Sequence, residues 1–135
     1  EEGLLDARAA NRLAAIVFGA EGAAIAWADV STGAFETRAI EAGEAEEEIA
    51  ALAPAEVLAT DADCAKLVEA ARISGAALTP RPAVKADAKA AARRIKAVFE
   101  VAALDAFGDF SQAELSAMGL LLDYIELRKP ALRRV

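Results

Sequence analysis

Leu13-Ala14-Ala15-Ile16-Val17-Phe18 is an unbroken apolar run of strand length, and the fold is decided by how it is read. A strand that is apolar on both sides must be covered on both sides. The following stretch, Ala24-Ile25-Ala26-Trp27-Ala28-Asp29-Val30, is nearly as apolar. The next, Ala34-Phe35-Glu36-Thr37-Arg38-Ala39-Ile40, alternates, with Glu36 and Arg38 on one face, as an edge strand does. Gly19-Ala20-Glu21-Gly22 and Ser31-Thr32-Gly33 supply the two hairpin turns between them. Residues 13–40 therefore read as a three-stranded meander whose first strand is the centre of a larger sheet. Helices to cover that sheet must come from the rest of the chain.

Downstream of Ile40 the period changes from strand-like to helical. Glu44 to Glu48 precede Ile49 and Leu52, with Pro54 as a stop. Acidic residues in a first turn complement the helix dipole. Glu56-Val57-Leu58-Ala59 reads as a fourth strand. Thr60 or Asp61 then caps a helix with Cys64, Leu67, Val68 and Ala71 on its apolar face, ending at Gly75. Ala76 to Thr79 is a fifth strand, closed by Pro80 and Pro82. Lys85 to Phe99 is a helix with Ala88, Ala91, Ala92, Ile95 and Phe99 on one side. Val101 to Phe110 reads as an apolar loop. Ser111-Gln112-Ala113-Glu114 is a capping box opening a last helix, with Leu115, Met118, Leu121, Leu122 and Ile125 inward and Pro130 at its end. The order β-β-β-α-β-α-β-α-α predicts an α/β fold of ribonuclease-H-like layout. The expected sheet is mixed and five-stranded, in order 3-2-1-4-5, with helices on both faces. The expected divisions are a lead-in at 1–12, a domain at 13–127 and a basic exit at 128–135 carrying Arg128, Lys129, Arg133 and Arg134.

Composition narrows the function. The chain has 135 residues and a net charge of −7, which argues against a duplex-DNA grip, since that needs a basic surface. There is no His to serve as a general base or metal ligand. The lone Cys64 has no internal disulfide partner and sits in an apolar pattern, as a small buried hydrophobe would. No apolar run reaches the ~20 residues of a membrane span. No signal peptide is visible, so a cytoplasmic setting is expected. The opening Glu1-Glu2-Gly3-Leu4-Leu5 reads as the interior of a longer protein.

The layout raises a two-metal nuclease as one reading, which needs clustered carboxylates holding two cations about 4 Å apart. The first strand carries no acid, and Asp29, Glu36 and Glu56 are placed where they are not expected to converge. Asp29-Val30-Ser31-Thr32-Gly33 lacks the glycines or the Lys of a phosphate loop and reads as a turn bonded to its own backbone. Glu44 to Glu48 reads as a solvated helix start, and Trp27 as core. A small-ligand-binding α/β module is a further alternative. Arg93, Arg94 and Lys96 stand off the apolar face of their helix and are the candidate partner-binding residues, since Arg is enriched at interfaces.

Five stretches, in order and spanning nearly the whole chain, resemble the connector domain (domain II) of the bacterial MutS family of mismatch-recognition ATPases. They are Leu4 to Ile16, Ala28 to Phe35, Leu52 to Leu58, Leu104 to Gly108 and Ala117 to Tyr124. The resemblance implies a ribonuclease-H-like fold without catalysis. It implies a domain joining the mismatch-binding domain to the core and ATPase domains, with MutL docking on its surface. It implies no cofactor here, with ATP and Mg²⁺ belonging to the parent protein. Mismatched DNA would likewise be met through the parent, with little or no direct contact by this domain. Where the family often carries a polar pair on the helix of residues 85–99, this chain has Arg93-Arg94, which would make a MutL contact more cationic.

Overall fold

A computed structural model of the chain describes residues 11–99 and 110–133, and the side chains of 11–98 and 110–127. Strands β1 (Arg12–Gly19), β2 (Gly22–Asp29) and β3 (Ala34–Ile40) form the meander. A short 3₁₀ turn, Ala42–Glu44, leads into helix α1 (Ala45–Leu52). Then come β4 (Glu56–Thr60), α2 (Asp61–Ser74), β5 (Ala77–Arg81), a 3₁₀ turn at Ala83–Ala86, α3 (Ala88–Phe99) and α4 (Gln112–Arg133). The sheet order is β3-β2-β1-β4-β5, as expected from the sequence. β1 pairs antiparallel with β2 and parallel with β4, and β4 pairs parallel with β5. The apolar run therefore lies at the centre.

Period-two alternation splits the sheet into two cores. On one face Leu13, Ala15, Val17, Ala24, Ala26, Ala28 and Leu58 meet Ile95 of α3 and Met118, Leu120, Leu121 and Leu122 of α4. The three buried β2 residues on that face are all alanines, so little side chain separates the strand from α4. On the other face Ala14, Ile16, Ile25, Val57 and Ala59 meet Ile49 of α1 and Leu67 and Ala70 of α2, with Trp27 and Cys64 partly buried against them. The two faces of β1 are thus filled by different helix pairs, as its lack of polar residues demanded.

The chain's punctuation works by local hydrogen bonding. Ser31 and Thr32 donate their backbone N–H groups to Asp29 Oδ1, and Ser31 Oγ donates to the same oxygen at 2.6 Å. Gly33 takes φ +82° to close that turn. Thr60 Oγ1 accepts from the Asp63 N–H to cap α2, and Gly75 ends it in the left-handed region. Ser111 and Glu114 bond each other's backbone N–H groups at 3.0 and 2.8 Å.

Four expectations are corrected. Val68 is 54% exposed, because the buried face of α2 runs through Asp63, Leu67, Ala70 and Ala71. Asp63 is drawn inward by the Phe18 N–H, which it accepts at 3.2 Å, and that turns the helix away from Val68. β5 continues through Pro80 to Arg81. Proline is tolerated there because β5 is an edge strand of the described sheet. The helix expected to start at Lys85 begins at Ala88, after the separate 3₁₀ turn, with Asp87 Oδ2 accepting from the Ala90 N–H at 2.8 Å. Pro130 lies within α4 rather than after it. Its fixed φ is helical, so the helix continues at the cost of one hydrogen bond. The lead-in with Leu4 and Leu5, the loop from Val101 to residue 109, and the side chains of the basic exit lie outside the described residues.

Candidate functional site

Of the carboxylates considered for metal chemistry, Asp29, Glu44, Glu48 and Glu56 are already engaged in the structure. Asp29 is turned onto its own loop, and the Ser31 hydroxyl, helped by the two backbone N–H groups and the nearby Arg12 charge, holds its carboxyl below the usual range against the effect of burial. Glu56 Oε2 accepts from Thr79 Oγ1 and from the Tyr124 hydroxyl, both at 2.6 Å. Glu48 pairs with Arg38 on the β3 edge, and Glu44 closes a capping box with Glu41. Among the described residues, no group of three or more His, Cys, Asp or Glu side chains is placed to hold a metal ion. A groove of about 590 Å³ lies between the β1–β2 hairpin and the start of α4, rimmed by Glu21, Glu41 and Glu44. Two of those carboxylates and Ser111 are committed to helix caps, so few groups converge there for a ligand.

The densest charge cluster is on the opposite side of the sheet from α1 and α2, where β5, α3 and α4 meet. Its hub is Asp123, whose side chain is 9% exposed. Arg81 Nη2 donates to Asp123 Oδ2 at 2.7 Å, and Arg94 Nη1 to Oδ1 at 3.1 Å. Lys85 Nζ stands 3.5 Å from Oδ1, and Arg94 also lies 3.4 Å from Glu126. Burial pushes the Asp123 carboxyl up, but the Arg81 and Arg94 hydrogen bonds and the Lys85 charge outweigh it and hold it below the usual range. Arg81 also lies over the Tyr124 ring, 5.3 Å from its centroid, which joins this hub to the Glu56 network. Among the described residues, the buried Arg81 Nε has no acceptor.

The hub fixes α3 against α4. Ile95 and Ala91 are buried in that contact. Gly119 of α4 lets the helices approach, since a Cβ placed on it would stand 2.7 Å from the Ala91 Cβ and 3.3 Å from the Lys85 carbonyl. The three candidate residues consequently separate. Arg93 and Lys96 are exposed, whereas Arg94 is half-buried between Asp123 and Glu126. Asp123 itself escaped the sequence reading. Its only signal is an acid directly after Leu120-Leu121-Leu122, where the helical pattern calls for a buried position.

Residues 11–131 match the family described as MutS domain II. A DNA mismatch repair protein MutS from Paracoccus denitrificans is 46% identical over 98% of this chain. Counterparts from Caulobacter vibrioides and Cereibacter sphaeroides are 40% and 42% identical over 98% and 94% of it. The chain spans only about 15% of the length of these relatives. The match runs across both cores and all five strands, and the chain belongs to the MutS domain II family.

Proposed function

We propose that this chain is a non-catalytic connector within a longer mismatch-repair protein. It links a mismatch-binding domain to core and ATPase domains and offers a docking surface for MutL on α3, with Arg93, Arg94 and Lys96 in that surface. The observation that carries this reading is the domain II match over residues 11–131 in relatives almost seven times as long. Mismatched DNA, ATP and Mg²⁺ would then be handled by other parts of the parent protein. The absence of acids from β1 fits a scaffold role, as does the engagement of Asp29 and Glu56 in structural bonds. A cytoplasmic location follows from the same reading.

Hydrogen exchange on the full-length protein carrying this chain, with and without MutL, tests the docking role. Amides of α3 are expected to gain protection. Protection confined to other domains would overturn the assignment of the surface. Cleavage of nucleic acid by the chain with Mg²⁺ or Mn²⁺, above the level of an Asp29→Asn, Glu56→Gln control, would overturn the non-catalytic reading.

A further inference from the structure

α3 is the one described helix whose charged residues are all basic. Ala88 to Phe99 contains Lys89, Arg93, Arg94 and Lys96 and no acid, in a chain of net charge −7. Residues 89, 93 and 96 follow i, i+4, i+7 and share one face of the helix. All three are exposed, and none forms an ion pair with a carboxylate among the described residues. The carboxylate nearest in sequence, Asp87, is turned to the Ala90 N–H instead. Exposed Ala90 and Ala97 border the stripe and leave room for a partner's backbone to come close. Arg94 lies about 100° further round the helix, where Asp123 and Glu126 hold it.

We propose that Lys89, Arg93 and Lys96 receive a carboxylate-rich polypeptide surface, while Arg94 acts as a positioning residue that sets the stripe by clamping α3 to Asp123. This rests on the reading of α3 as a docking helix and divides the labour within it. A polypeptide acid fits better than duplex DNA. Three cations along roughly 10 Å of helix meet a short acidic segment, whereas the surrounding negative charge opposes a long polyanion.

The test uses the full-length protein with three probes: MutL, a twelve-residue Glu/Asp-rich peptide and a short DNA duplex. Binding is followed by surface plasmon resonance between low and moderate salt. The variant K89E/R93E/K96E is expected to lose at least tenfold in affinity for MutL and for the peptide, with a flattened salt dependence. Arg94→Ala is expected to weaken binding while keeping the wild-type salt slope, and Arg94→Lys to restore it. A slope for Arg94→Ala as flat as that of the triple variant would overturn the positioning role and make Arg94 a direct contact. Wild-type-like binding of MutL or of the peptide by the triple variant would overturn the stripe. Stripe-dependent binding of the duplex more tightly than the peptide would overturn the polypeptide partner. Peptide binding that depends on the stripe, with no MutL binding by the wild type, would support the stripe and sink the MutL docking reading alone.

Discussion

Asp123 shows how much one buried carboxylate can organise. Three cations from three segments converge on it, and Arg81 is 42 positions away in sequence. Asp123→Asn leaves those cations facing a neutral amide. Removing one partner of a buried pair costs about 3–5 kcal/mol, and the solvent contact kept by Lys85 and Arg94 brings the expectation down to about 2–3 kcal/mol. Urea denaturation at neutral pH reads this directly. The pH dependence has a definite sign. The folded carboxyl titrates below its unfolded value, so its contribution is present above the unfolded pKa and is lost as pH falls through the folded one. The gap between wild type and Asp123→Asn should therefore close below about pH 4; a gap that widens in acid would refute the hub. Cys64 makes a contrasting case. Burial, then the nearby Asp61 and Asp63 charges, push its thiol up, and Cys64 Sγ donates to the Ala59 carbonyl at 3.6 Å. Alkylation of the folded protein at pH 8 should be several-fold slower than of the urea-unfolded chain, and equal rates would contradict that environment.

At the level of elements, the α3–α4 crossing is the contact most sensitive to a single methyl group. Gly119→Ala should gain about 1 kcal/mol of helix propensity. The clash with Ala91 should cost about 1–3 kcal/mol. Thermal melting is expected to show a net loss of about 1 kcal/mol, recovered in part by Ala91→Gly in the same chain. A stabilised Gly119→Ala would mean that the helices do not pass so closely. Strand elements were largely legible because each carries its own signature: apolar on both faces in β1, alternating in β3, bounded by glycine turns. Helix faces were less so. Val68 fits an apolar stripe by spacing, yet Asp63 occupies the buried side because the Phe18 N–H at the end of β1 needs an acceptor. That need arises from a strand 45 positions earlier, and no local pattern carries it.

For the molecule as a whole, the two-sided core predicts a gradient of stability. β1 is paired on both sides and covered on both faces, whereas β3 and β5 are edges. Native-state hydrogen exchange should find the slowest amides in Ala14 to Val17, with the β3 and β5 amides opening at lower free energy. Uniform protection across the sheet would argue that it opens as one unit. The charge distribution follows the same architecture. Acids crowd the start of α1 and the rim of the hairpin groove, while cations gather on α3 and around Asp123. The domain is therefore acidic overall but presents a basic face on one side of the sheet.

The sequence by itself determined the strand order, the two covered faces, the capped starts of α2 and α4 and the family, because these rest on periodicity, turn residues and stretches a few residues long. Only the tertiary structure decided which of Arg93, Arg94 and Lys96 faces solvent. Spacing places all three off the apolar stripe of α3 but cannot supply Asp123 and Glu126, which arrive on another helix about thirty positions later. The same limit hid the network of Glu56, Thr79, Arg81 and Tyr124. Burial of a polar group is settled by partners brought together through chain topology, and a linear pattern records only the need for them.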